Sequence, residues 1–320
     1  MRRLLLLALV TAPITAAAQN APRPDTAKLT FNWPATVRAR VDAQRYRERV
    51  SNGKHDTSDV RLSYRMTAQR TGNEYVVRFS DFQLPQTPGG ARSGEAAFME
   101  RLGGIAPSYR VNAEGEFTGL ESPGLIRAFI DSMLTSLTAR DGPPPGPEMK
   151  QFLRTMLSDE VLAASAAQEW NALVGTWLGA ELEVGQAYGT EGEEPVPIFQ
   201  NATVKFEYEF AALRRMPCDS VASPTARDCV ELQMVSRPDS AAMRQMLQRF
   251  MSTLAPDAAQ DMGFADFDVE NVVTLVARPE SLLPVSLVVT KEVTGTVRER
   301  GKTQKVYQYD VKSQRYSYNK

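Results

Sequence analysis

A chain of 320 residues with 42% hydrophobic side chains can bury a substantial core, which excludes an intrinsically disordered protein. Its 37 lysines and arginines nearly cancel 38 aspartates and glutamates, so net charge gives no reason to expect a nucleic-acid partner. One histidine and two cysteines leave little material for a metal site or a nucleophile–histidine pair.

The first eighteen residues read as a secretory signal peptide. Arg2 and Arg3 form the positive region, Leu4 to Val10 the apolar stretch, and Ala16, Ala17 and Ala18 a small-residue cleavage site. The apolar stretch is under half of the ~20 residues a membrane-spanning helix needs, and no later run approaches that length. The expectation is a periplasmic or secreted protein with no transmembrane segment in its mature chain. No cysteine follows Ala18 directly, so lipid attachment there is not expected. Cleavage leaves 35 basic against 38 acidic side chains.

Residues 19–30, rich in proline and polar groups, predict a flexible lead-in, and 31–320 a single sheet-rich domain. Val37, Ala39, Val41 and Ala43 alternate with Arg38, Arg40, Asp42 and Gln44. Val60, Leu62, Tyr64 and Met66 then alternate with Arg61, Ser63, Arg65 and Thr67, and Tyr75, Val77 and Phe79 follow a Thr71-Gly72-Asn73 turn. Period two with one apolar face marks half-buried antiparallel strands, and the short turn predicts a hairpin over 60–84. Shorter strands are predicted near 108–112 and 116–120.

The period then lengthens. Leu125, Ile126, Phe129, Ile130, Met133, Leu134 and Leu137 make a helical stripe that begins at Ser122-Pro123. A second helix carries Met149, Phe152, Leu153, Met156 and Leu157, and a third stretch over 159–177 holds Trp170 and Trp177. Residues 185–197 are composed like a linker, so two subdomains split there are an alternative. Val204, Phe206, Tyr208 and Phe210 resume the alternation, and Val230, Leu232 and Met234 continue it. Pro238-Asp239-Ser240 introduces a helix with Met243, Met246, Leu247, Phe250, Met251 and Leu254 on one face. Three strands close the chain, over roughly 267–278, 283–298 and 303–318. Together these elements predict an α+β fold: a large curved antiparallel sheet, half-barrel-like, with about four helices packed on its inner face.

Cys218 and Cys229 fall at the facing ends of two successive predicted strands. Strand ends across a hairpin are within disulfide reach, and an oxidising compartment favours the bond. Zinc wants four nitrogen or sulfur ligands and His55 is remote, while a redox pair would want Cys-x-x-Cys spacing.

His55 itself sits in a Ser-Asn-Gly-Lys-His-Asp turn and reads as a surface residue. No Gly-x-Ser-x-Gly elbow, phosphate loop or dinucleotide fingerprint occurs, so no catalytic residue is assigned and neither cofactor nor metal is expected. Asp257, Asp261, Asp266, Asp268 and Glu270 fit a solvated acidic loop better than a calcium loop.

Charge is unevenly spread. Residues 36–70 carry nine basic against four acidic groups, and 298–320 seven against two. Either these are ordinary solvated strand faces, or basic strands from both termini lie together as one positive surface.

The helical methionines suggest a ligand. Flexible thioethers suit irregular contacts, and Phe129, Met133, Leu137, Met156, Met243, Met246 and Phe250 would line an apolar cavity if the helices enclose one. Ordinary core packing explains the same stripes.

In layout, a signal peptide followed by antiparallel strands interrupted by helices resembles the periplasmic lipoprotein-carrier type of half-barrel. The chain also resembles uncharacterised bacterial envelope proteins with patterns such as Val184-Gly185-Gln186 and Leu283-Pro284-Val285 with Thr294-Gly295. The resemblance implies an envelope compartment and a lipid or acyl-chain ligand between sheet and helices. The functional expectation is a non-enzymatic exported protein that binds such a ligand or another envelope protein. The alternative is a structural or protein-binding module with a solid core.

Overall fold

The computed structural model describes residues 25–51, 53–84, 108–122, 124, 127–128, 158–196, 202–219, 227–254, 262–299 and 301–318. Strands β1 (Thr26–Lys28), β2 (Thr36–Ser51), β3 (Lys54–Thr71), β4 (Glu74–Gln83), β5 (Tyr109–Asn112) and β6 (Phe117–Leu120) come first. Helix α1 (Asp159–Leu173) and a single 3-10 turn (Gly175–Trp177) follow. Next come β7 (Glu181–Glu183), β8 (Ala187–Val196), β9 (Ala202–Met216) and β10 (Cys229–Pro238). Helix α2 (Ser240–Leu254) precedes β11 (Met262–Ala277), β12 (Pro284–Glu299) and β13 (Lys302–Tyr318).

Eleven strands form one sheet in the order β6-β5-β4-β3-β2-β13-β12-β11-β10-β9-β8, and β1 pairs with β7 in a second small sheet. Every neighbouring pair in the large sheet is antiparallel. Tight turns join β3 to β4 and β12 to β13, and Gly72 and Gly301 take the positive φ that such turns require. The last strand lies beside the first long one, with Tyr316 opposite Val41. The basic segments at the two ends of the chain are therefore neighbours.

The expected α+β class with about four helices is corrected. Among the described residues strands make up 65% and helices 16%, with two fully described α-helices, α1 and α2, against an eleven-stranded antiparallel sheet. Two of the expected helical stripes, at 125–137 and 149–157, lie almost entirely outside the described residues. The strands also run further than their apolar alternation, because pairing with a neighbour satisfies the backbone whatever the side chains are. Polar stretches such as 44–51 and 54–59 are thereby zipped into one hairpin. Residues 187–196, composed like a linker, pair along their length with β9. Thr26–Lys28, within the expected lead-in, form β1.

The core lies on one face of the large sheet. Val37, Ala39 and Val41 of β2, Met66 and Ala68 of β3, Val77, Val111, Leu287, Leu275 and Leu232 are buried there. Leu29, Trp33, Trp170, Val174 and Trp177, from the N-terminal segment, α1 and the 3-10 turn, cover them. Trp33 and Trp170 meet edge to face at 5.5 Å, and Trp170 Nε1 donates to the Gly115 carbonyl at 2.8 Å. Ser158 caps α1 by accepting from the Val161 amide, and Asp239 caps α2 by accepting from the Ala242 amide at 2.6 Å. Helix α2 packs on β11 and touches β9, and its Met246 is buried away from the main core.

Candidate functional site: an apolar face that becomes cationic

Along β2 the core-facing positions read Val37, Ala39, Val41, Ala43, Arg45 and Arg47. The period never changes, but the chemistry does. Register across the sheet extends the last two positions into rows. Arg45 lies between Val60 and Lys312, and Lys312 faces Val289. Arg47 lies between Ser58 and Asp310, and Asp310 faces Lys291, which faces Asn271. Four cations, Arg45, Arg47, Lys291 and Lys312, thus share two rows with a single carboxylate.

Asp310 organises these rows. It is 7% exposed and accepts three hydrogen bonds. Arg45 Nε and Nη2 donate at 3.1 and 2.6 Å, and Arg47 Nε donates at 3.2 Å. Burial pushes the carboxyl upwards, but the two guanidinium groups outweigh it and hold Asp310 below the usual aspartate range. Lys291 is exposed as a residue, but partial desolvation of its ammonium by the surrounding strands pushes it below its ordinary value, and Lys312 adds to this while Asp310 opposes it. The hydrogen bonds of the one carboxylate all go to the arginines, and among the described residues neither lysine has an ion-pair partner.

Toward the core the same face turns aromatic. Ala43, Leu62, Phe79, Phe82 and Val289 are only partly buried against the core. Tyr64 stacks on Phe82 at 5.1 Å and meets Phe79 edge to face at 5.8 Å. Phe82 should alternate away from Phe79, but a bulge opposite Ser63–Arg65, with Asp81 at φ 57°, turns it back to the core side. Tyr109 donates to Glu169 Oε2 of α1 at 2.8 Å. Burial, reinforced by Glu169, pushes the Tyr64, Tyr109 and Tyr316 phenols upwards, so all three stay neutral hydrogen-bonding groups at physiological pH. The arrangement is an apolar, aromatic floor ending in a cationic border.

A separate cleft of about 780 Å³ opens between the start of α2 and strands β8 to β12. Its lining carries six carboxylates, Glu191, Glu207, Asp239, Asp268, Glu270 and Glu292, against the three cations Lys205, Arg237 and Arg244. Arg237 pairs with Glu270 at 2.6 Å, and Ser240 donates to Asp268 at 2.6 Å.

Of the residues expected to line an apolar cavity, Met243, Met246 and Phe250 sit on α2, where Met246 alone is buried. Phe129, Met133, Leu137 and Met156 lie outside the described residues. Cys218 and Cys229 are joined in a disulfide with Cα atoms 5.0 Å apart, closing the β9–β10 hairpin. His55 is exposed at the start of β3, with Nε2 2.8 Å from Glu48 Oε1. Asp266, Asp268 and Glu270 belong to β11, Asp257 and Asp261 lie outside the described residues, and no cluster of three metal-binding side chains occurs among those described. That basic strands from the two ends of the chain lie together was one of the two readings of the charge distribution; the placing of Arg45 and Arg47 on the core-facing side was not, although the alternation Ala43, Arg45, Arg47 carried its signal.

No protein family matches the chain, and no curated protein matches it. Among solved structures it is similar to lipovitellin, from a study of its lipid–protein interactions, at 10% identity and a TM-score of 0.38. That match covers 89% of this chain and 25% of lipovitellin, so the chain spans about a quarter of that protein's length. It is also similar to OmpT, an outer membrane protein of Vibrio cholerae, at 8% identity and a TM-score of 0.19, over 90% of this chain and 99% of OmpT. Among the described residues no helix is long and apolar enough to cross a membrane.

Proposed function

We propose that this is an exported, non-enzymatic binding protein whose ligand is an amphiphile with an anionic end, such as an acyl chain or lipid. One observation carries the reading: on the core-bearing face, Ala43, Leu62 and Val289 give way without a change of register to Arg45, Arg47, Lys291 and Lys312 around Asp310. Charged side chains at core-facing strand positions add nothing to a packed interior, whereas a cationic border beside an apolar floor matches an amphiphile at both ends. The first eighteen residues support export. The disulfide is compatible with an oxidising compartment.

Binding of a fluorescent fatty acid, compared with its methyl ester, tests the proposal. The acid should bind more tightly than the ester, and Arg45→Gln together with Lys291→Gln should abolish that preference. Equal affinity for acid and ester, or no binding of either, would overturn it. The second reading, a protein-binding envelope module with a solid core, draws on the close packing of Trp33, Trp170 and Trp177. Absence of probe binding in folded protein would favour it.

A further inference from the structure

The opposite face of the same strands carries a different pattern. Alternation sends Arg38 and Arg40 of β2, Arg65 of β3, Arg78 of β4, Arg110 of β5 and Arg315 of β13 away from the core, and all six are exposed. Register brings them together: Arg40 lies directly opposite Arg65, and Arg38 shares a row with Thr67 and Arg78. Arg110 pairs with Val76, two residues from Arg78, and Arg315 is opposite Asp42. With strands about 4.8 Å apart, the six guanidinium groups extend across five strands, roughly 20 Å.

Three of them are partnered. Arg40 pairs with Asp42 at 3.2 Å, Arg65 with Asp81 at 3.1 Å, and Arg78 with Glu121 at 2.6 Å. Arg38, Arg110 and Arg315 have no ion-pair partner among the described residues. Like charges directly opposite each other on neighbouring strands destabilise a sheet, so folding gives no reason for arginine at both position 40 and position 65.

We propose that this arginine face docks the protein on an anionic phospholipid surface. Planar guanidinium forks suit phosphate oxygens in pairs, and all six cations are arginine. A single free phosphate would engage one or two of them, whereas a lipid surface offers phosphates along the full width of the patch. Nucleic acid is the poorer match for a chain with a formal charge of −1 and an export signal. The docking face is the reverse of the sheet from the amphiphile site, so the two assignments stand or fall separately.

Co-sedimentation of the full mature chain with vesicles tests this proposal, using phosphatidylcholine alone or mixed with phosphatidylglycerol. Binding should require phosphatidylglycerol and weaken steeply with salt. Arg38→Gln, Arg110→Gln and Arg315→Gln remove no ion pair, so the triple variant should melt like the parent. It should bind anionic vesicles more weakly by on the order of 100-fold, taking about five-fold for each arginine near the surface. Its affinity for the fatty-acid probe should be unchanged. Equal binding to both vesicle types, or a triple variant that binds like the parent, would overturn the proposal. So would binding to heparin or inorganic phosphate without binding to anionic vesicles.

Discussion

Replacing Asp310 by asparagine separates structural from functional charge on the core-bearing face. The carboxylate is 7% exposed and accepts three bonds from Arg45 and Arg47, whose side chains are 41% and 27% exposed. Removing one member of a fully buried ion pair costs roughly 3–5 kcal/mol. Here the arginines remain in contact with water and asparagine still accepts one bond, so the expected loss is about 2 kcal/mol at pH 7.

The pH dependence has a definite sign. The folded-state carboxyl is held below its ordinary value, so its contribution is present above the unfolded pKa near 3.9 and fades as pH falls through the lower folded value. Urea unfolding should show parent and variant separated by a constant gap from pH 7 to about pH 5, narrowing in stronger acid. The same variant removes the one negative charge in the two rows, so it should bind the anionic fatty-acid probe more tightly while unfolding more easily. A gap below about 0.5 kcal/mol at neutral pH, or one that persists unchanged in acid, would refute the argument.

Opening the disulfide by changing Cys218 and Cys229 to serine should lower stability by roughly 2.5–3 kcal/mol for the eleven-residue separation, measured by urea unfolding and matched by reductant on the parent. Gly115→Ala should cost about 3 kcal/mol, seen as a lowered melting temperature. A Cβ at φ 95° would lie 2.6 Å from Phe31 Cγ and 2.9 Å from Leu178, in the turn whose carbonyl receives Trp170. Lys291, exposed and with its ammonium destabilised, should be acylated at pH 8 faster than Lys28, whose charge is favoured by a hydrogen bond to Glu181. Mass-spectrometric mapping of a limited acetylation reaction reads the two sites together, and preferential labelling of Lys28 would contradict the assignment.

Antiparallel architecture was legible wherever one side of a strand faces the core. The Val37-to-Ala43 and Val60-to-Met66 patterns became β2 and β3, and the hairpin expected over 60–84 is the β3–β4 pair. The Cys218–Cys229 bond followed from two strand ends and a compartment. Length and class were less legible. Apolar alternation stops at Ala43, yet β2 runs on to Ser51, because a hairpin register once set pairs polar backbone as well as apolar. The linker-like composition of 187–196 concealed an edge strand, which needs a partner on only one side and tolerates the glutamates, glycines and proline found there. The site was hidden for another reason. Asp310, Lys291 and Arg45 are separated by up to 265 positions in sequence and meet only through the β2–β13 and β12–β13 pairings.

That long-range pairing also explains how one strand can serve two surfaces. In β2 the odd positions face the core and the even positions face away, so Arg45 and Arg47 contribute to one charged area and Arg38 and Arg40 to the other. The arginine-rich sequence 38–49 therefore divides into two surfaces on opposite sides of a sheet. A basic segment made for solvation alone would have no need to keep register with Asp310 on one side. Nor would it need to set Arg40 against Arg65 on the other. The register holds through all sixteen pairs of the β2–β3 hairpin, so neither set of arginines can shift to the other face without undoing the whole pairing.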